Sequence, residues 1–238
     1  MHAVWEVGEL KYANHTEAIF VKRPNRFIAV VLINGIEETV HVKNTGRCQE
    51  LLMEGVKVIL VESDNPNRKT RYDLVAVYRD GYGWINIDSM APNQVVAEWL
   101  DSEDSMWEKD AYIRPECPYG ASRIDFHLES KEEKVLMEVK GCTLVKVGMG
   151  LFPDAPTQRG VKHLKELTAA VDQGYACYLA FVIQINNVDY VMPNRPMNPD
   201  FADAMVAAIR KGVKLIFLRC EVTPDSITVK NHHIIDHL

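Results

Sequence analysis

One stretch of the chain is set up to bring two carboxylates and an ammonium together. Residues 122–128 and 134–140 are apolar-rich runs flanking the charged segment 129–133, which is the pattern of a β-hairpin. Folding the stretch about its midpoint, between Lys131 and Glu132, sets Asp125 opposite Glu138. Opposed residues on paired strands have Cβ atoms about 4.5–5.5 Å apart. Glu138 and Lys140 are two residues apart, so they share a face of their strand. Adjacent like charges are unfavourable unless a cation or a proton intervenes. Asp125 and Glu138 therefore suit a hard divalent cation, Mg²⁺ or Mn²⁺, with oxygen ligands. The same residues also fit an exposed hairpin with ordinary surface charges.

The elements around this hairpin read as an α/β layout. Pro92-Asn93 starts a helix over 94–100 with apolar Val95, Val96, Trp99 and Leu100. Glu98 on that helix either adds an acid to the site or stays exposed. Residues 112–115 read as a strand entering the hairpin, and Cys117-Pro118-Tyr119-Gly120 as a turn. After the hairpin, 141–150 reads as a strand ending in a flexible glycine loop around Met149. Asp154, in the loop Phe152-Pro153-Asp154-Ala155-Pro156-Thr157, either reaches the same cation or holds an Asx-type turn. Thr157 is an N-cap for a helix to about 173, buried along Val161, Leu164, Leu167, Thr168 and Val171. That spacing leaves Arg159, His163 and Glu166 on the opposite face. A long apolar strand over 175–185, a helix over 201–211 closed by Gly212, and a strand over 213–222 complete a mixed sheet. The tail, with His232, His233 and His237, reads as a polar, frayed end.

The bulk properties bound the function. The chain has 238 residues, 47% hydrophobic and 25% charged, enough for one large domain or two modest ones. Net charge is −6; residues 1–83 carry 11 basic and 11 acidic side chains, and 84–238 carry 16 and 22. This balance opposes tight non-specific DNA binding by the bulk field, so a nucleic-acid role must rest on local patches and on a neutralising metal. Cys48, Cys117, Cys142, Cys177 and Cys220 form no Cys-x-x-Cys pair and read as reduced thiols of a cytoplasmic protein. No secretory signal and no membrane-spanning run is expected.

The first segment is strand-rich. Runs at 19–22 and 27–33 are followed by Asn34-Gly35, the strongest short hairpin signal, then by 37–42. Two further strands fall at 56–62 and 72–78, and 47–53 reads as a short helix. Five short strands with one helix between the third and fourth outline an OB-like barrel, although another small barrel fits nearly as well. Arg23, Arg26, Arg47, Arg68, Lys69 and Arg71 sit in its loops, where such barrels contact phosphates, and Phe27, Tyr72 and Tyr78 could stack under bases. Polar loops carry charges in any barrel, and Phe27 fits a core equally. Arg79-Asp80-Gly81-Tyr82-Gly83 is the candidate boundary, giving domains 1–83 and 84–238.

A helix, three strands, a helix and a strand, with Asp125 on the second strand and Glu138-Val139-Lys140 on the third, resemble the PD-(D/E)xK nuclease core. A longer match covers nearly the whole chain. Arg23-Pro24-Asn25-Arg26-Phe27, Asn44-Thr45-Gly46-Arg47, 122–126, 138–145 and 151–164 resemble the sugar fermentation stimulation protein family, SfsA. The resemblance implies an OB-like domain followed by a nuclease-like domain, with DNA binding linked to regulation of sugar metabolism. A nuclease of this kind would use Asp125, Glu138 and Asp154 on the cation. Lys140 would act on the attacking water or the developing phosphorane charge, and Arg123, Arg159 and His163 on phosphate. Nucleic acid, DNA ahead of RNA, is the expected partner, and no membrane. The runner-up is a non-catalytic DNA-binding regulator on an inactive nuclease fold; a third reading is a barrel that binds a protein or small molecule.

Overall fold

The computed structural model describes residues 10–44, 46–65 and 67–236. The amino-terminal segment read for a signal, and Thr45, Pro66 and His237, lie outside the described residues.

The chain opens with β1 (Leu10–Lys11) and then builds a barrel from β2 (His15–Asn25), β3 (Ile28–Ile33), β4 (Ile36–Val42), β5 (Lys57–Glu62), β6 (Tyr72–Arg79) and β7 (Gly83–Asn86). Strand order is β4-β3-β2-β5-β6-β7, and a parallel pairing of β4 with β6 closes five of the strands into the OB-fold barrel. The β3–β4 turn needs two residues with positive φ, and Asn34 (52°) and Gly35 (81°) supply them. The segment expected as a helix over 47–53 is instead one turn: the amides of Leu51 and Leu52 both donate to Cys48 O. Cys48 sits at φ 46°, and Cys48, Leu51 and Leu52 are all buried, so packing replaces helix propagation in a segment too short to nucleate.

The expected boundary at 79–83 is a hairpin turn. β7 pairs with β6, so the first sheet runs on to Asn86. Gly81 and Gly83, both at positive φ, make the turn tight, and tightness rather than a linker explains their presence. No hinge follows it. Asn86 N donates to Gln184 O, and Gln184 Nε2 donates to Asn86 Oδ1 at 2.8 Å, which ties the barrel to the second domain inside a buried polar cluster.

The second domain contains α1 (Ala91–Asp101), β8 (Tyr112–Tyr119), β9 (Ser122–Glu129), β10 (Lys134–Cys142), β11 (Leu144–Lys146), β12 (Met149–Phe152), α2 (Gln158–Val171), β13 (Ala176–Ile183), β14 (Val191–Pro193), α3 (Pro199–Lys211), β15 (Lys214–Val222) and β16 (Ser226–Ile235). Its main sheet has the order β1-β16-β15-β13-β10-β9-β8, parallel across β10, β13 and β15 and antiparallel elsewhere. Val135, Met137 and Val139 of β10 pack in one core cluster with α1, and Leu136 and Cys142 in another with α2 and α3. That alternation is what period-2 side chains on a sheet covered on both faces must do.

Three expectations change. Cys117, Pro118 and Tyr119 belong to β8, and the turn lies at Gly120. The glycine loop around Met149 is a hairpin of β11 and β12, turned by Val147 (φ 52°) and Gly148 (75°), and β12 adds β14 to form a separate small sheet. The tail is strand β16, paired with β15 along its length, with His232 edge-on to Trp99 and His233 stacked on Tyr190. Its polar side chains hid a strand whose backbone is paired with β15.

Candidate functional site

The hairpin folds in the expected register, with Lys134↔Glu129 and Val135↔Leu128 paired on through Met137↔Phe126. There the ladder stops. Asp125 does not pair with Glu138; its Oδ2 accepts the amide of Val139 at 2.7 Å. On the other side, β8 pairs Pro115 with Phe126 and Cys117 with Ile124, again passing over Asp125, and Glu116 there has φ 50°. Ile124 and Phe126 join different core clusters although they are two residues apart, so the strand alternation breaks at Asp125. Interrupted ladders of this kind re-aim a side chain. The break turns Asp125 into a side-chain acceptor at the mouth of the sheet, where Asn93 Nδ2 of α1 also donates to its Oδ1 at 3.0 Å.

Glu138 is 2% exposed. One of its oxygens, Oε1, takes both the Lys140 ammonium and His163 Nδ1. Its other oxygen, Oε2, is buried with no hydrogen-bond partner among the described residues. A buried ionised oxygen without a donor is expensive. Burial works to raise the Glu138 carboxyl, yet Lys140 and then His163 outweigh it and hold it below the usual carboxylate range. Asp125 goes the other way: burial, and then the Glu138 charge, push it up against the pull of Lys140, the Val139 amide and Asn93. Two coupled carboxylates with opposite shifts and a vacant acceptor aimed at buried space form a cation-seeking arrangement.

Two members of this group hold places the sequence did not assign them: His163 was expected on an exposed face toward phosphate, and Asn93 as a helix start. His163 is 3% exposed and faces the sheet, not solvent. Its signal was present in the spacing: Gly160, His163, Leu164 and Leu167 form a buried stripe of α2, in which a histidine can sit because Glu138 waits across from it. Asn93 carried no comparable signal, since an amide near a helix start reads as a cap. Thr157 does cap α2, its hydroxyl accepting Gly160 N at 3.0 Å. Glu98 is tied away from the site, accepting Leu10 N and Gln94 Nε2.

Among the described residues no cluster of three or more His, Cys, Asp or Glu is arranged to hold a metal, neither Asp125 and Glu138 with His163 nor the same pair with Asp154. Asp154 lines a cleft of about 370 Å³ between the barrel and the second domain, with Gly46, Ser89, Thr143 and Thr157. Gly46 lies so close that a Cβ there would be 2.6 Å from Asp154 Oδ2.

The expected nucleic-acid contacts divide. Arg23 donates to the carbonyls of Arg26, Asn44, Gly46 and Arg47, which fixes the loop, and it lines the barrel cleft with Arg26 and Arg47. Arg68 grips Asp73 with both terminal nitrogens, at 2.9 and 2.7 Å, and His41 holds the same carboxylate at 2.7 Å. Arg68 and His41 outweigh burial and hold Asp73 below its ordinary range. Arg71 pairs with Glu62 and lies over Tyr72. Lys69 is exposed. Arg26 and Arg47 are exposed, with Arg26 over Phe27, itself 44% exposed and not core. Tyr78 packs edge-on against Trp84. Arg123 and Arg159 line one cleft with Lys162 and His163.

Comparison with known proteins covers both halves. Residues 21–87 match the SfsA N-terminal OB domain, and residues 90–226 match the sugar fermentation stimulation protein RE domain. A sugar fermentation stimulation protein homolog of Desulfitobacterium hafniense (strain Y51) is 51% identical over 218 residues, 92% of this chain and 94% of that one. One from Ruminiclostridium cellulolyticum is 46% identical over 221 residues, 93% of this chain and 97% of that one. The structure of Pyrococcus furiosus SfsA in complex with Ca²⁺ superposes with a TM-score of 0.81 at 25% identity, covering 94% of this chain and 97% of that one. With both domains matched and relatives near half identical over almost the full length, the chain belongs to the sugar fermentation stimulation protein family.

Proposed function

We propose that the chain is a nucleic-acid-binding protein whose second domain hydrolyses phosphodiesters with a divalent cation, Mg²⁺ or Mn²⁺, DNA being the substrate ahead of RNA. The observation that carries this is Glu138 Oε2, buried beside Asp125 with no partner among the described residues. The donor set fits a hard cation: two carboxylates, with the remaining positions left to water and phosphate, which is how Mg²⁺ is usually held. Asp125 and Glu138 would hold it, and Asp154 stands apart as a cleft residue. Ca²⁺ bound to the Pyrococcus furiosus relative supports a hard-cation site in this family. A cation bound there would supply Lewis-acid polarisation of the phosphate and a more acidic water.

The chain's own groups would do the rest. Lys140, beside Glu138, would orient a water or offset charge gathering on the phosphoryl oxygens. His163 keeps Glu138 oriented by donating Nδ1–H to its Oε1, the tautomer in which Nε2 can accept from Arg159 Nε. Asn93 and the Val139 amide hold Asp125 in one orientation. All five cysteines are free thiols, and burial pushes Cys48, Cys142 and Cys177 up to about 12, as suits unreactive groups in a reducing cytoplasm. Among the described residues no helix is long and apolar enough to cross a membrane.

The non-catalytic DNA-binding reading keeps one observation in its favour: Lys140 already sits on Glu138 as an internal counter-charge. Calorimetric titration with Mn²⁺, followed by cleavage assays on single- and double-stranded DNA and RNA, separates the two. Cation binding lost in Asp125→Asn, with cleavage lost in Lys140→Ala, is the expected result. Cation binding without any cleavage leaves the regulator, and no cation binding sinks the catalytic reading.

A further inference from the structure

Three clefts share or adjoin lining residues across the two domains. The first is on the barrel, lined by Arg26, Arg47, Gln49 and the backbone at Gly46. The second is the interdomain cleft, which shares Gly46 and runs to Thr157. The third begins at the next residue, Gln158, and is lined by Arg123, Arg159 and Lys162. The carboxylate pair lines neither the second nor the third, but residues beside it line both. Pro92 and Gly141, neighbours of Asn93 and Lys140, line the second, and His163, which holds Glu138, lines the third.

The chemistry alternates along this line. In a chain of net charge −6 many Lys and Arg side chains have carboxylate partners, yet Arg47 and Arg123 make no side-chain hydrogen bond or ion pair with a described residue. Arg26 meets only the Phe27 ring, and Arg159 only His163 Nε2 at 3.4 Å. Glu116 is the one acid lining the third cleft. The middle cleft has no Lys or Arg. Its walls are apolar at Pro92, Leu144, Leu151 and Phe152, and its edges are polar. The Asp154 carboxylate and the hydroxyls of Ser89 and Thr143 have no hydrogen-bond partner among the described residues. A carboxylate repels phosphate and accepts from the amino or imino edge of a base. Flat apolar walls with a few acceptors suit a base face-on and edge-on at once.

We propose that the three clefts form one track for single-stranded nucleic acid: phosphates held at Arg26 and Arg47, an unpaired base in the interdomain cleft against Asp154, and phosphates again at Arg123 and Arg159. The strand is single because a duplex keeps its base edges paired and stacked, and only an unpaired base can enter a recess. This rests on the phosphodiesterase reading for its placement of the scissile bond but not for binding. The track therefore carries strand past the carboxylate pair from the base side to the phosphate side.

The test is fluorescence anisotropy of the full chain with labelled strands of about 12 nucleotides, in chelator, so that cation and cleavage play no part. Four probes are compared: a deoxycytidine strand, its ribose counterpart, an abasic strand of equal length, and a duplex. Single strands of either sugar should bind at least tenfold more tightly than the duplex, and the abasic strand more weakly than the base-bearing one. Arg26→Gln with Arg47→Gln, and separately Arg123→Gln with Arg159→Gln, should each lower affinity about tenfold and reduce the slope of log K against log salt by about 1.4. Asp154→Ala should erase the advantage of the base-bearing strand while leaving the slope unchanged. All these side chains are exposed or half-buried, and circular dichroism confirms that the variants fold. Equal or tighter duplex binding, abasic and base-bearing strands bound alike, or either arginine pair without effect overturns the track. Binding as expected with no cleavage on adding Mn²⁺ leaves the track standing and removes the phosphodiesterase reading alone.

Discussion

Two regions of this molecule hold a half-buried or buried acid beside a histidine and a basic residue, and they end differently. On the barrel, Asp73 takes His41 on one oxygen and Arg68 across both. In the second domain, Glu138 takes His163 and Lys140 on the same oxygen, and its other oxygen stays empty among the described residues. The residue types are nearly the same. What differs is saturation. The bidentate guanidinium fills both carboxylate oxygens of Asp73, so that network holds β4, β6 and the loop before it together. The single ammonium of Lys140 cannot do this for Glu138, and neighbouring Asp125 adds a like charge. A saturated acid is architecture; an acid left short of a donor in a buried place still has an acceptor to offer.

The largest effect that can break this contrast is Glu138→Ala. It leaves Lys140 and His163 without their counter-charge, and urea denaturation should show a loss of about 3 kcal/mol or more. A loss below about 1 kcal/mol would mean the pair is solvated and the contrast false. Arg68→Ala uncovers Asp73 and should cost about 1–3 kcal/mol, with oligonucleotide affinity unchanged. A drop in affinity equal to that of the Arg123 variants would return Arg68 to the list of ligand contacts. Gly46→Ala forces a Cβ to within 2.6 Å of Asp154 Oδ2 and 2.8 Å of Asn44 Oδ1, and should cost about 1–3 kcal/mol. Adding Asp154→Ala should recover part of that loss; no recovery would place the strain on Asn44 alone.

The smallest effect has the sharpest sign. Asp125 has its folded carboxyl raised, so its ionised form costs stability at neutral pH, and the cost is relieved as pH falls through the folded value. Glu138 has its carboxyl lowered, so its contribution is present above the unfolded carboxylate range and is lost as pH falls through the folded value. Asp125→Asn should therefore raise the Tm of cation-free protein at pH 7 by about 2 °C. The advantage over wild type should shrink as pH is lowered toward about 4. Thermal melts in chelator at several pH values measure it. A destabilised Asp125→Asn at pH 7 would show that the hydrogen bonds from Val139 and Asn93 outweigh burial and the Glu138 charge.

Much of this was legible in local pattern. Asn34-Gly35 announced its hairpin because two positive φ values have few other sources. The 122–140 hairpin register followed from symmetry of apolar runs about a charged turn, and it held through Met137↔Phe126. The helix from Thr157 followed from its cap and stripe. Misreadings came where one residue's role depended on a distant partner. Arg68 looked like a ligand contact because loop arginines are ambiguous until a carboxylate is found to enclose them. The β16 strand looked like a frayed tail because its polar side chains carry no core signal, while its backbone partner lies on β15. The turn at 79–83 looked like a linker because turn-forming residues punctuate hairpins and boundaries alike.

The sequence by itself determined the two domains' kind, the barrel and the mixed sheet, and the nearness of Asp125, Glu138 and Lys140, because strand periodicity and hairpin symmetry are local. Only the tertiary structure decided that the ladder stops at Asp125, that His163 of α2 reaches Glu138 across the sheet, and that one oxygen of that acid is left without a donor. Saturation of a buried charge is the sum of everything packed around it, and most of those groups come from far along the chain.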